Sequence, residues 1–240
     1  MKQFKDINYI HFSSIDSTNN WAKANHEQLD LKRFTCVTAD EQTNGRGSKN
    51  KKWLSPKSSN LYTSLVFSLP SAFPYLTNVG QVMAYSSVQV LRKLEIPAYI
   101  KWPNDILVEG KKIEGILCEL IAKDGYYVVV LGWGLNVNMS QDELDTLDQA
   151  ATSLFILNPI KWDVEPLLAS ILDQFIDDLD ILKEKGFSYF KNFYEKNLLI
   201  KESSLDLQGK KVVEIKMNDR GQLELKTEDG LIQTILNADN

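Results

Sequence analysis

The chain predicts an α+β fold: a mixed or antiparallel sheet with flanking helices, followed by a small β-domain. Three observations carry this. Strand-like runs between residues 99 and 131 are joined by turns too short for crossover helices. Two stretches, 76–94 and 164–182, space their apolar residues as helices do. From about residue 198 the texture changes to short strands at 211–217, 222–226 and 231–236, broken by Asn218-Asp219-Arg220-Gly221 and Asp229-Gly230. At 240 residues the expected organisation is a main domain, 1–195, with a barrel-like appendage, 196–240, too small to be robust alone.

In order, residues 9–12 read as a strand and 20–28 as a helix, with Ser17 or Thr18 as N-cap. The exposed end of that turn can also donate hydrogen bonds to a ligand. A β-branched strand at 35–39 delivers a basic loop. Residues 61–67 alternate, with Leu61, Thr63, Leu65 and Phe67 on one face, as a half-buried strand would. Pro70 and Pro74 mark a loop before the helix of 76–94, whose Val79, Val82, Met83, Val90, Leu91 and Leu94 are core. Strands follow at 99–102, 106–108, 112–120 and 126–131, with turns at Glu109-Gly110 and Asp124-Gly125. The apolar strand 126–131 suits a sheet edge that pairs with a second copy. Residues 142–150 are polar, irregular or a short helix, and the aromatics of 187–194 are core.

With 43% hydrophobic and 25% charged residues the composition is that of an ordinary soluble globular protein. The first residues lack the apolar core of a signal peptide. The longest apolar stretch, 128–135, falls far short of the ~20 residues that span a bilayer. Cys36 and Cys118 lie in apolar runs and read as buried free thiols, while His11 and His26 lack metal-ligand spacing. A cytoplasmic, membrane-free protein is expected. The net charge of -5 argues against nucleic-acid partners, and a helix-turn-helix has no room ahead of the first strand.

Three stretches concentrate chemistry. The first, 40–56, sets Arg46, Lys49, Lys51 and Lys52 beside Gly45 and Gly47 in an otherwise acidic chain. A charge run alone is more often a solvated loop. Glycines that reach φ > 0 and admit close approach make an anion site the alternative, with Gln42 as polar wall and Trp53 as aromatic lid. It is no Walker loop, since the position five after Gly45 is Asn50, and no dinucleotide fingerprint, since the third glycine is missing. The second is Lys101-Trp102-Pro103-Asn104-Asp105, where Pro103 holds Asn104 and Asp105 at a strand break. Lys101 and Asp105 either pair structurally or present a cation and a carboxylate to Mg²⁺ and phosphate. Lys112, across the hairpin, aims a second lysine at the same cleft. The third is 132–138, whose glycines either admit a ligand or flank a β-bulge, and whose Asn136 offers both donor and acceptor.

The order S-T-N, Q-T-N-G-R-G with W, K-W-P-N-D-I, K-I-E-G-I-L-C-E-L and G-W-G-L-N-V-N resembles biotin protein ligase. The likeness covers nearly the whole chain, including Ala151-Thr152-Ser153-Leu154 and the last β-segment, and is to the short form without an N-terminal DNA-binding domain. It implies a class II synthetase-like catalytic fold with an SH3-like barrel. It also implies adenylation of biotin by ATP with Mg²⁺, release of pyrophosphate, and transfer of biotin to a lysine of a carrier. The implied partner is the biotin carboxyl carrier protein of acetyl-CoA carboxylase or a related carboxylase; the ligase itself would be a monomer or homodimer. By resemblance, Ser17, Thr18, Asn19, Gln42, Arg46, Gly47, Ser48, Lys112 and Gly115 bind biotin. Lys49, Trp53, Lys101, Asn104, Asp105, Lys112 and Asn136 belong to the ATP and adenylate side. Lys112, Arg46 and Asp105 are the catalytic candidates, and Asp105 the metal candidate. Many family members carry an arginine where this chain has Ser48, which predicts weaker clamping of the adenylate unless Lys49 or Lys51 substitutes. The chain also ends without the basic tail that some members place near ATP. The competing readings are a lipoate or octanoate ligase or transferase of the same superfamily, and a biotin-binding sensor without turnover.

Overall fold

The computed structural model describes residues 7–48, 51–57, 60–197, 206–207 and 210–235. Strand β1 (Ile7–Phe12), helix α1 (Thr18–Asn25) and strand β2 (Phe34–Ala39) open it. Ser17 caps α1 as expected, its hydroxyl accepting from Asn20 N–H at 3.4 Å. The helix begins at Thr18 and stops at Asn25, short of the expected Gln28, because His26–Gln28 tighten into a 3₁₀ turn. Then come β3 (Leu61–Pro70), α2 (Val79–Lys93), β4 (Tyr99–Lys101), β5 (Asp105–Val108), β6 (Lys111–Lys123) and β7 (Tyr126–Leu135). Helices α3 (Gln141–Leu144), α4 (Leu154–Leu157), α5 (Val164–Lys185) and α6 (Ser188–Asn197) follow. The short α3 is set by a capping box between Ser140 and Glu143. Four strands close the chain: β8 (Asp206–Leu207), β9 (Lys210–Met217), β10 (Leu223–Thr227) and β11 (Ile232–Ile235).

The main sheet has the order β1-β2-β3-β7-β6-β5-β4. Only β1 and β2 are parallel, because α1 carries the chain back between them; every other pair is antiparallel. This corrects two expectations. Strand β3 is central and buried on both faces, not half-buried. Strand β7 is not an edge open to a second copy: it lies between β3 and β6, and the edges are β1 and β4. An apolar run read by itself does not give a strand's place in the sheet, which depends on long-range pairing.

Helix α1 covers one sheet face through a small cluster of Ala22, Val37, Val66, Val128 and Val130. Helices α2, α5 and α6 cover the other, where Leu65, Phe67, Val129 and Leu131 meet Met83, Leu91, Phe175 and Phe190. The aromatics Phe187, Phe190 and Tyr194 are buried, as expected, while Tyr189 is exposed. Cys36 and Cys118 are free, and burial pushes both thiols up to about 12.

The final strands form a separate sheet, β11-β10-β9-β8. It is fastened to the main domain at the β9–β10 turn. Trp102 Nε1 and Gln81 Nε2 donate to the Gly221 carbonyl at 3.1 and 2.7 Å, and Asn78 Nδ2 to that of Arg220 at 2.8 Å. Gly221 has φ +72, and a Cβ there would lie 2.4 Å from Gln81 Oε1, so the contact requires glycine. Val212, Met217, Leu223 and Leu225 join the core under α2 and α6. No helix among the described residues is long and apolar enough to cross a membrane.

Candidate active site

A pocket opens on the α1 face of the sheet, where the strands lose their side chains. Its floor is Gly132 and Gly134 of β7 with Gly115 of β6. A Cβ at Gly132 would sit 2.1 Å from Asn19 Oδ1, and one at Gly134 2.3 Å from Trp53 Nε1. The glycines are therefore the space that Asn19 and Trp53 occupy. The register of β7 with β3 and β6 is unbroken through Leu135, so Gly132 and Gly134 do not flank a bulge. In the basic loop, close approach and not φ > 0 explains Gly45: its missing Cβ would lie 2.4 Å from the Trp53 carbonyl oxygen.

Polar groups at the start of α1 form a continuous chain along one wall. Gln42 Oε1 accepts from Thr18 N–H at 2.9 Å, and Gln42 Nε2 donates to Ser55 Oγ at 2.9 Å. Ser64 Oγ lies 2.8 Å from Thr18 Oγ1 and donates to Asn19 Oδ1. Asn19 Nδ2 donates to the Leu117 carbonyl and to Glu119 Oε2, at 3.3 and 3.1 Å. Ser17, Thr18 and Asn19 are all buried, so these orientations are fixed before a ligand arrives. Ser55, Ser64 and Glu119 escaped the sequence reading. The available signal was a Thr63-Ser64 pair interrupting an apolar strand, and the second glutamate of K-I-E-G-I-L-C-E-L.

The cations come from opposite sides. Arg46 pairs with Lys52 across the neck of the basic loop, where Gly47 N–H donates to the Lys51 carbonyl at 2.7 Å. Its Nη1 reaches Asn20 Oδ1 at 3.0 Å and Glu119 at 3.4 Å. Lys112 is aimed by a bulge: Leu107 faces Lys112 and Ile106 faces Glu114, so the extra residue Ile113 turns Lys112 onto the pocket face. Residues 150–152 hold it there, through Lys112 N–H to the Ala150 carbonyl and Thr152 N–H to the Lys112 carbonyl, both at 2.9 Å. Its Nζ lies 2.7 Å from Asp105 Oδ1 and 5.3 Å from the centre of the Trp53 ring.

A second, smaller cavity lies beyond, lined by Lys52, Leu54, Asn136 and Leu147 among others. Trp53 and Lys112 line both. Trp53 is thus a partition between two cavities and not only a lid. Its buried Nε1 has no acceptor among the described residues. Asn136 faces this second space, with its Nδ2 donating to the Thr152 carbonyl at 3.1 Å.

The K-W-P-N-D stretch divides its labour. Trp102 fastens the C-terminal sheet, Asn104 Nδ2 ties the strand break to the Ile116 carbonyl at 2.7 Å, and Asp105 faces the pocket. The expected Lys101–Asp105 ion pair is not made, because Lys112 takes the carboxylate. Lys101 is opposite Asp105 in register, one strand further out and exposed, outside the pocket lining. Gly47 and the exposed Ser48 line the rim. Lys49 lies outside the described residues. No group of three or more His, Cys, Asp or Glu side chains able to hold a metal occurs among the described residues.

The profile of the biotin/lipoate A/B protein ligase family matches residues 11–136. A bifunctional ligase/repressor BirA of Bacillus spizizenii is 34% identical over 85% of this chain and 65% of its own length. A biotin–[acetyl-CoA-carboxylase] ligase of Mycobacterium tuberculosis is 34% identical over 57% of this chain and 50% of its own. The chain thus spans between half and two thirds of these relatives. Among solved structures, a biotin protein ligase of Aquifex aeolicus in complex with biotin and ATP superimposes with a TM-score of 0.78, at 31% identity, covering 98% of this chain and 97% of its own.

Proposed function

From the premise that this chain belongs to the biotin/lipoate A/B protein ligase family, we infer that it adenylates biotin with ATP and transfers the biotinyl group to a carrier lysine. The observation that carries the reading is that one lysine, Lys112, lines two adjoining cavities. In the first step a biotin carboxylate oxygen attacks the α-phosphorus, the bond from that phosphorus to the β-phosphate bridge breaks, and pyrophosphate leaves. Two anions must meet, so the protein contributes alignment and charge neutralisation. Lys112 stands where carboxylate and α-phosphate converge, with Asp105 fixing its ammonium and Arg46 approaching from the other wall. The ureido ring is read by the Thr18, Asn19 and Gln42 wall over the glycine floor, and the nucleotide takes the cavity of Asn136 and Trp53.

In the second step the carrier lysine amine attacks the acyl carbon and AMP departs with the bonding pair. Asp105 is the carboxylate nearest to take the amine proton. A single carboxylate suits Mg²⁺ that arrives on phosphate oxygens, with Asp105 as its one protein ligand; there it would neutralise phosphate charge. The carrier domain of acetyl-CoA carboxylase, or of a related carboxylase, is the acceptor. Residues 1–195 act as the catalytic unit and 196–240 as the appended β-domain.

The test is ATP–pyrophosphate exchange by the purified full chain with Mg²⁺, supplied in parallel with biotin, lipoate or octanoate. Exchange stimulated by biotin alone is expected. Stimulation by lipoate or octanoate would keep the fold and overturn the pocket assignment.

A further inference from the structure

Glu119 is a half-buried carboxylate of β6 beneath the start of α1, and three donors converge on it. Lys23 Nζ reaches Oε1 at 2.8 Å, Asn19 Nδ2 reaches Oε2 at 3.1 Å, and Arg46 Nη1 approaches at 3.4 Å. These come from two separate places, the first two turns of α1 and the basic loop, so Glu119 ties the loop to the helix that begins the pocket wall. Burial works against its charge, yet hydrogen bonds from Lys23 and Asn19 and the charges of Lys23 and Arg46 win, and its carboxyl is held below the ordinary carboxylate range. It is therefore a fixed anion at neutral pH.

We propose that Glu119 is a positioning residue for the anionic substrate, acting through Arg46 and Asn19 and resting on the ligase reading above. Two features give the direction of the effect. Among the described residues the side-chain hydrogen bonds of Arg46 all use Nη1, and the other edge of the guanidinium can turn to a carboxylate or phosphate. Lys23 neutralises Glu119, so the three-residue group Lys23, Glu119 and Arg46 keeps one net positive charge for the ligand. A carboxylate without Lys23 would cancel Arg46 and compete with substrate. With Lys23 it orients Arg46 and leaves its charge in use. At the same time its bond to Asn19 fixes which end of that amide faces the pocket.

The experiment compares biotin-stimulated exchange by the full-length protein and by Glu119→Gln, with biotin affinity measured separately by calorimetry without ATP. Removing only the charge is expected to raise KM and Kd for biotin about tenfold, with kcat within about twofold, the pattern of lost binding and not lost chemistry. Glu119→Asp, which keeps the charge on a shorter arm, is expected to fall between the two and serves if the glutamine variant folds poorly. The Arg46→Gln, Glu119→Gln pair should lose less than the product of the single losses, because one residue acts through the other. An unchanged or lowered KM in Glu119→Gln, or losses that multiply, would overturn the role while leaving the ligase reading intact. No biotin-stimulated exchange by the unsubstituted protein would overturn both.

Discussion

The two faces of one sheet have been put to opposite uses, and strand β7 shows it residue by residue. Toward α2 and α5 it presents Val129, Leu131, Trp133 and Leu135, all in the main core. Toward α1 it presents Val128 and Val130, which pack under the helix, and then Gly132 and Gly134, which pack nothing of their own. The change comes where α1 begins, so the helix start and the loss of side chains together make the cavity. One face is filled by buried apolar side chains. The other is held open by polar groups that satisfy one another. A cavity in a folded domain therefore needs a scaffold as specified as the core beneath it.

Substitutions on the two faces should separate stability from activity. Leu131→Ala is expected to cost about 2–5 kcal/mol of stability, read by denaturant unfolding, while the folded fraction keeps its KM for biotin. Gly134→Val should do the reverse. Its Cβ would meet the Trp53 indole at 2.3 Å, so exchange should fall at least about tenfold with a smaller change in stability. Loss of stability without loss of exchange in Gly134→Val would break the comparison.

A polar group on the filled face gives the next contrast. Glu114 is fully buried, accepts from Ser87 Oγ at 2.8 Å, and has no partner for Oε2 among the described residues. Burial raises its carboxyl from 4.5 to about 8, and the Ser87 hydrogen bond offsets only part of that. Because the folded value lies above the unfolded one, the folded chain holds a proton that the unfolded chain has released between pH 4.5 and about 8. Stability should fall as pH rises through that window, by about 1.4 kcal/mol per unit, and level off above it. Glu114→Gln should flatten the slope; an unchanged slope would place the titration elsewhere.

How much of this was legible follows the same division. Local chemistry showed in the sequence: Ser17 as a cap, Gln42 and Trp53 flanking the basic loop, Asp105 and Lys112 as chemistry aimed at one cleft. What depends on long-range pairing did not. The central places of β3 and β7 follow from strand order, and Lys112 reaches the pocket because of a single bulge residue, Ile113. Of the two readings of Lys101 and Asp105, an ion pair or a cation and carboxylate presented together, neither holds: Lys112 takes the carboxylate at 2.7 Å and Lys101 stays outside the pocket lining. Ser64 and Glu119 carried only a weak local signal, polar side chains in otherwise apolar strands, and their contacts with Thr18 and Asn19 exist only once the start of α1 is laid over the sheet.

The smallest expected effect concerns the rim. Ser48 is exposed at the pocket rim, and a serine offers no bidentate grip on an anion. Ser48→Arg should slow the escape of biotinyl-adenylate, measured by its release from a preformed complex. Equal retention in both proteins would sink the weaker-clamp reading.

The most direct test of the central claim, that Lys112 joins two ligand spaces into one reaction, is exchange by Lys112→Gln alongside its biotin affinity. At least about a hundredfold loss of exchange is expected, with biotin still bound by the Thr18, Asn19 and Gln42 wall. Exchange within about threefold of the unsubstituted protein would contradict it, and would move the catalytic charge to Arg46.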